Sequence, residues 1–362
     1  MISIEQLLGD IQRSAMQANS QATAGALANA ENLLMTLLAG EQRRVQSEEK
    51  LNAPVPRFMM LSVTWQCNLK CKGCYAANYT PGNEMDLAQI RSTIEQAIEL
   101  GTYFFVIVGG EPLAKPGLLE MISEITGGLF FFFTNGTMLN ESHAKIIAKS
   151  DSILPIISVE GSSNLTDQRR GGGVGEKVSR AMELLNAQGV AFGISSMVTR
   201  KNLDCVTSRE WFDQVWQAGG RFAFLIDYVP LKHSFDTELV LTQEDIAHKK
   251  SLVDQRYEEA RPLVLNFPPD EYENGGECQS AGCGFIHINA DGFAEPCPFS
   301  HYAADNIKEK SFAEILQSKF LSDIRSLVKG RENPTKSCLL FQLEENVSQI
   351  ALQNAGFCTE NL

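Results

Sequence analysis

The chain reads as an α/β protein built on parallel strands, because short and almost wholly apolar runs alternate with helix-like segments along most of its 362 residues. The runs are Met59 to Thr64, Tyr103 to Val108, Leu129 to Thr134, Ile153 to Val159, Ala191 to Val198 and Phe222 to Val229. A strand covered on one face alternates apolar and polar residues, whereas a run apolar throughout belongs to a parallel strand buried on both faces. Between the runs fall helical patterns at Leu87 to Leu100, from Leu118, after Asn140, at Glu176 to Gln188 and at Cys205 to Ala218. Asp86, with Gln89 three residues on, introduces the first of them as a capping box. Such a βα repeat makes a parallel sheet or a barrel, and periodicity alone admits both.

The flanks differ from this core. Residues 1–50 read as helical, with apolar positions at Ile4, Leu7, Leu8 and Ile11 and again at Leu33, Leu34, Leu37 and Leu38. Pro54 and Pro56 mark a linker into the first strand. Beyond Thr242 a long helix is expected from Gln243 to about Arg261, then a Pro, Gly and Cys-containing region from Pro268 to Pro298. An amphipathic helix from Phe312 to Val328 precedes Cys338. The division expected is a helical segment 1–50, a βα core 51–240 and a C-terminal extension 241–362.

With 44% hydrophobic and 21% charged residues, the composition is that of a soluble globular chain with a substantial core. No run approaches the roughly 18 to 20 apolar residues of a membrane helix. The start, MISIEQLLGDIQRS, lacks the basic and apolar regions of a secretory signal, so the cytoplasm is the expected compartment. A net charge of -13 argues against a nucleic-acid partner, since phosphate binding rests on clustered Lys and Arg. Nine cysteines without an export signal point to metal or redox chemistry instead of a disulfide framework.

Their spacing is specific. Cys67, Cys71 and Cys74 form a Cys-x3-Cys-x2-Cys loop just after the first strand. Three thiolates in so short a loop can converge on one soft metal centre, and one ligand short of a closed iron-sulfur site leaves a position open. A zinc site is the competing reading, but it wants a fourth close Cys or His. A second group comprises Cys278, Cys283, Cys297 and Cys338. Ile286, Ile288 and the Asp291-Gly292 turn suggest a hairpin that brings Cys297 back toward Cys278 and Cys283. Four thiols suit one cluster or one zinc ion, and His287 and His301 stand near enough in sequence to line the site. Cys205 and Cys358 stand apart, and each reads as a free thiol.

The first loop resembles the signature of the radical S-adenosylmethionine (radical SAM) superfamily, and the second group resembles its SPASM or twitch C-terminal extension. The resemblance covers roughly residues 58–340. It implies a partial (β/α)6 TIM-like barrel with N-terminal helices and a small iron-sulfur extension. It implies a 4Fe-4S cluster on Cys67, Cys71 and Cys74 that binds S-adenosyl-L-methionine, and an auxiliary 4Fe-4S cluster on the later cysteines. Further matches lie at strand ends, where barrels build active sites. Gly109-Gly110-Glu111-Pro112 is similar to the family's glycine-rich contact to the cofactor's amino group. Asn135 follows the third strand, and Ser158, Glu160 and Arg169 or Arg170 are similar to its ribose and carboxylate contacts. One departure is that the position before the third cysteine, often aromatic in the family and placed against adenine, is Gly73, which leaves Tyr75 as an open substitute.

The chemistry implied is reductive cleavage of S-adenosylmethionine to a 5'-deoxyadenosyl radical, with electrons from a partner such as flavodoxin or ferredoxin. Oxidative or crosslinking modification of a peptide is the first expectation, and radical chemistry on a small metabolite or lipid the second. A non-catalytic iron-sulfur carrier would need neither the open-site spacing nor the GGEP stretch.

Overall fold

The βα repeat is realised as expected. The computed structural model describes residues 23–231, 236–259, 262–335 and 337–360. The strands are β1 (Phe58–Ser62), β2 (Phe104–Val108), β3 (Leu129–Thr134), β4 (Ile153–Ser158), β5 (Phe192–Val198), β6 (Gly220–Asp227), β7 (Leu263–Phe267), β8 (Phe285–Ile288) and β9 (Ala294–Glu295), with β10 (Tyr302–Ala303) and β11 (Phe357–Cys358) as a separate antiparallel pair. The chain forms two compact units.

The first unit contains Leu69–Cys74 and Phe133–Asn274. Its strands β4, β5, β6 and β7 pair in parallel in that order. Helices Ser163–Arg170, Val174–Ala187, Leu203–Val206, Arg209–Gln217 and Gln243–Glu259 connect them. The expected single helix from Cys205 to Ala218 is two helices, because Ser208 restarts the chain by accepting the Trp211 amide at 3.2 Å. A serine that satisfies an N-terminal amide makes a new helix start inexpensive, and apolar periodicity passes through it unseen. Helix Ser163–Arg170 and strand β7 are elements that the sequence pattern did not mark out.

The second unit contains Met35–Asn68, Tyr75–Phe132 and Gly275–Leu362. Here β1 lies between β2 and β8, parallel to both, and β9 closes an antiparallel hairpin on β8. That hairpin turns at Asp291-Gly292, as the sequence indicates. Phenylalanines stack across β1, β2 and β3, with Phe58 and Phe104 at 4.6 Å and Phe104 and Phe131 at 5.6 Å. Asp86 caps helix Leu87–Leu100 with the reciprocal bonds of the predicted box. The expected helix from Phe312 to Val328 is broken into Phe312–Leu316 and Lys319–Val328, with Ser318 capping the second.

The N-terminal helix runs from Thr23 to Leu51, and the apolar positions Ile4, Leu7, Leu8 and Ile11 lie outside the described residues. Leu37 is buried, but Leu34 and Leu38, expected on the packed face, are exposed. The inward face is set by Glu41, which binds Arg44, Arg57 and the Tyr103 hydroxyl. Among the described residues no helix is long and apolar enough to cross a membrane.

Candidate iron-sulfur and S-adenosylmethionine site

In the first unit, helix Ser163–Arg170 holds the cysteine loop by its backbone. Lys72 N donates to Arg169 O at 3.0 Å, and Arg169 Nε donates to Lys72 O at 3.1 Å. Both guanidiniums converge on Glu160, which is 1% exposed: Arg169 Nη1 reaches Oε1 at 2.5 Å and Arg170 Nη2 reaches it at 2.6 Å. The other carboxylate oxygen accepts Met197 N at 3.1 Å. Burial alone would raise the Glu160 pKa, but the two arginines outweigh it and hold the carboxyl below its usual range. The same arginines face sulfur. Burial pushes the Cys71 thiol up while Arg170 and Arg169 pull it down, and Cys74 shares the field of Arg170.

Gly73 sits at φ +68, and a Cβ there would lie 2.8 Å from Tyr228 Cε2 and 3.4 Å from both Leu239 and Met197. The ring of Tyr228 thus occupies the space that an aromatic side chain at 73 would need, and the left-handed backbone suits glycine. The open substitute, Tyr75, lies in the second unit, edge-on to His287 and Phe299. Ser158 ends β4, half-buried, and Asn135 Oδ1 accepts the Thr137 amide and hydroxyl at 2.9 and 2.6 Å just past β3.

In the second unit, Cys67 is exposed on the segment leaving β1. Gly110 N donates to Thr64 O at 2.6 Å and Glu111 N to Gln66 O at 2.8 Å, so the GGEP stretch runs against the approach to Cys67. A Cβ on Gly109 would stand 2.4 Å from Thr64 O, and one on Gly110 2.2 Å from Gln66 O. These glycines therefore admit backbone carbonyls of the cysteine segment itself. Glu111 is buried and its carboxylate accepts Leu113 N at 3.0 Å, with Pro112 opening a short 3-10 turn.

The later cysteines divide. Cys278 and Cys297 are buried, and the Cys297 thiol is pushed up first by burial and then by the sulfurs of Cys338 and Cys278 beside it. Cys283 lies with Arg325, which opposes the upward push of burial on its thiol. Among the described residues, no three Cys, His, Asp or Glu side chains are drawn together tightly enough to hold a metal ion. The donor sets nonetheless suit iron and sulfide: soft thiols, a cationic pair beside Cys71, and a Cys297 thiol that interacts with those of Cys338 and Cys278. Sequence reading missed the paired action of Arg169 and Arg170 on Glu160, although Ser162, a visible N-cap, marks the helix that carries them. It also missed Tyr228, for which only the glycine at 73 was a signal.

Residues 61–206 match the family model of the radical SAM superfamily, and residues 278–339 match that of an iron-sulfur cluster-binding domain, SPASM. The chain belongs to the radical SAM superfamily and carries a SPASM domain, so its cofactors are S-adenosyl-L-methionine, the 4Fe-4S cluster that binds it and an auxiliary 4Fe-4S cluster. It is similar to the AdoMet-dependent heme synthase of Oleidesulfovibrio alaskensis, 28% identical over 73% of this chain and 75% of that protein. It is also similar to the mycofactocin maturase MftC of Mycobacterium ulcerans, 33% identical over 44% of each chain. Among solved structures, Streptococcus suis SuiB bound to S-adenosylmethionine shares the fold with a TM-score of 0.65 at 19% identity, over 93% of this chain and 81% of that one.

Proposed function

We propose that the chain is a radical SAM oxidoreductase of the maturase type that modifies a peptide by oxidation or crosslinking. Cys67, Cys71 and Cys74 hold the cluster that binds S-adenosylmethionine, and Cys278, Cys283, Cys297 and Cys338 hold the auxiliary one. Gly109, Gly110, Glu111, Pro112, Asn135, Ser158, Glu160 and Arg170 cradle S-adenosylmethionine, a reading supported by all but Arg170 lying at or just past the C-terminal ends of β2, β3 and β4, and by the pairing of Arg170 with Glu160. Bound there, cluster and S-adenosylmethionine supply a hydrogen-abstracting 5'-deoxyadenosyl radical. The protein's part is to orient, to exclude water and to place charge. Residues 51–240 act as the cofactor-binding core, 241–362 as the extension and 1–50 as an added helical segment. Electrons come from a flavodoxin or ferredoxin, and the enzyme works in the cytoplasm.

The observation that carries an oxidative outcome is a second thiol group, with Cys278 and Cys297 buried and Cys338 half-buried, in the same chain as the arginine-flanked first one. The peptide is supported by the local likeness to a maturase. A second reading, a small heme precursor as substrate, is favoured by the broader match to the heme synthase, which spans most of both chains. The test is deuterium transfer: reconstituted, dithionite-reduced enzyme is given S-adenosylmethionine with a deuterated short peptide encoded beside its gene, or with a deuterated heme precursor. Label entering 5'-deoxyadenosine from the peptide supports the first reading, and label from the precursor selects the second. Label from neither, with cleavage still running, refutes both.

A further inference from the structure

In the second unit, the segment leading from β1 to Cys67 has its backbone carbonyls and amides bound by different partners. Thr64 O and Gln66 O accept the amides of Gly110 and Glu111, at 2.6 and 2.8 Å. Trp65 N donates to Glu84 Oε1 at 2.7 Å, and Gln66 N donates to Thr64 Oγ1 at 3.1 Å. The Thr64 hydroxyl in turn donates to Glu84, 2.9 Å from Oε2 and 3.1 Å from Oε1. The Trp65 ring is fixed as well, stacked on Tyr79 at 3.9 Å with Nε1 donating to Asp291 Oδ2 at 2.9 Å.

Glu84 is itself held from the GGEP stretch. Lys115, which caps the 3-10 turn opened by Pro112, lies 3.6 Å from Glu84 Oε2 and donates to Met85 O at 2.7 Å. Met85 N donates to Ala290 O at 2.7 Å, which ties the residue after Glu84 to the β8–β9 turn. Thr64 is 2% exposed, and the side chains of Glu84 and Lys115 are 13% and 15% exposed. A carboxylate so far buried is a costly way to satisfy two donors, since it must lose water and be given a counterion. What it adds over a neutral acceptor is a second oxygen and a charge, so that one side chain binds the cysteine segment and the GGEP turn together.

We propose that Glu84 is a positioning residue: through Thr64 and Trp65 on one hand and Lys115 on the other, it clamps the GGEP stretch to the segment entering Cys67. The backbone assigned to S-adenosylmethionine and the approach to the first cluster ligand then move as one body. Such preorganisation lowers the ordering cost of binding, so the clamp raises affinity for S-adenosylmethionine without touching it. That effect rests on the proposed cradle at Gly109 to Pro112, whereas the clamp itself does not depend on that reading.

Amide hydrogen exchange in the oxidised holoenzyme, without S-adenosylmethionine, tests the clamp. In the parent, the amides of Trp65, Gly110 and Glu111 should share one protection factor, because one opening frees all three. Trp65 less protected than the other two by about tenfold or more would overturn the clamp before any variant is made. Glu84→Gln and Thr64→Val, the second losing the hydroxyl at nearly constant volume, should speed exchange at Gly110 and Glu111 at least about tenfold, while Thr64→Ser, which keeps the hydroxyl, stays within about twofold of the parent. Equilibrium dialysis should then show the Kd for S-adenosylmethionine raised about tenfold, or about 1.4 kcal/mol, in the first two variants and restored in Thr64→Ser. Unchanged iron content and circular dichroism qualify each variant. Parental exchange in the two variants would overturn the clamp, and faster exchange with a parental Kd would overturn its positioning role. A parent that binds no S-adenosylmethionine would strike the cradle and this role of Glu84 together, whereas failure of the exchange measurement leaves the proposed function untouched.

Discussion

The two cysteine regions place the same donor atom in opposite electrostatic settings. Beside Cys71 stand the guanidiniums of Arg170 and Arg169, which work against the penalty of burial. Around Cys297 stand the sulfurs of Cys338 and Cys278, which add to that penalty. Burial still leaves the Cys71 thiol raised, as it does that of Cys297, so both regions gain thiolates as ligation displaces the protons, the first against the smaller penalty. Cys283, with Arg325 nearby, resembles the first setting more than the second.

The sharpest way to break this contrast is Cys71→Ala. It should drop 5'-deoxyadenosine release from dithionite-reduced enzyme to background, and lower iron from about eight to about four per chain, since each cluster carries four. Cleavage at the parent rate would remove the first region from the chemistry. Next, Cys297→Ala should also halve the iron, yet leave deoxyadenosine release without substrate largely intact. Circular dichroism must first show the variant folded, because ligation energy is folding energy in such a region. Loss of cleavage equal to that of Cys71→Ala would show the regions to be one functional unit.

Two smaller effects sharpen the electrostatic half. Glu160→Gln leaves two buried guanidiniums without their carboxylate and should cost about 3–5 kcal/mol in urea unfolding, and a loss under about 1 kcal/mol would mean that solvent already serves those charges. Glu41 is the half-buried counterpart: Arg44 first, then Arg57, hold its carboxyl at about 2 against an ordinary 4.5 despite partial burial. A depressed carboxylate contributes stability that is full above its unfolded pKa and is lost as pH falls through the folded one. Discounted for solvent screening, the contribution is about 1–2 kcal/mol. Urea midpoints of the parent and Glu41→Gln should therefore differ at pH 6 and converge as the pH falls from about 4.5 toward about 2. A gap independent of pH would assign the effect to packing.

Much of the scaffold is legible in the residues because its causes are local. Apolar runs mark β1 to β6, Asp86 and Gln89 mark a helix start, and a turn at Asp291-Gly292 marks the β8–β9 hairpin. Spacing likewise groups Cys67, Cys71 and Cys74 without reference to anything distant, since a short loop has few ways to separate three thiols. The chain alone therefore determined the fold class, the family and the spacing of its cysteines. Tertiary structure decided which charges face them. Arg169 and Arg170 meet Glu160 across a helix that no apolar period announced, and Tyr228 explains Gly73 from 155 residues away, the difference of their numbers. Ser62 finds His287 at a separation of 225 residues only because β8 adds to β1 in one register. Propensity and capping act within a turn or two of chain, whereas pairing and burial join residues by position in space, so the electrostatics of the site and its polar contacts appear only once the sheet is assembled.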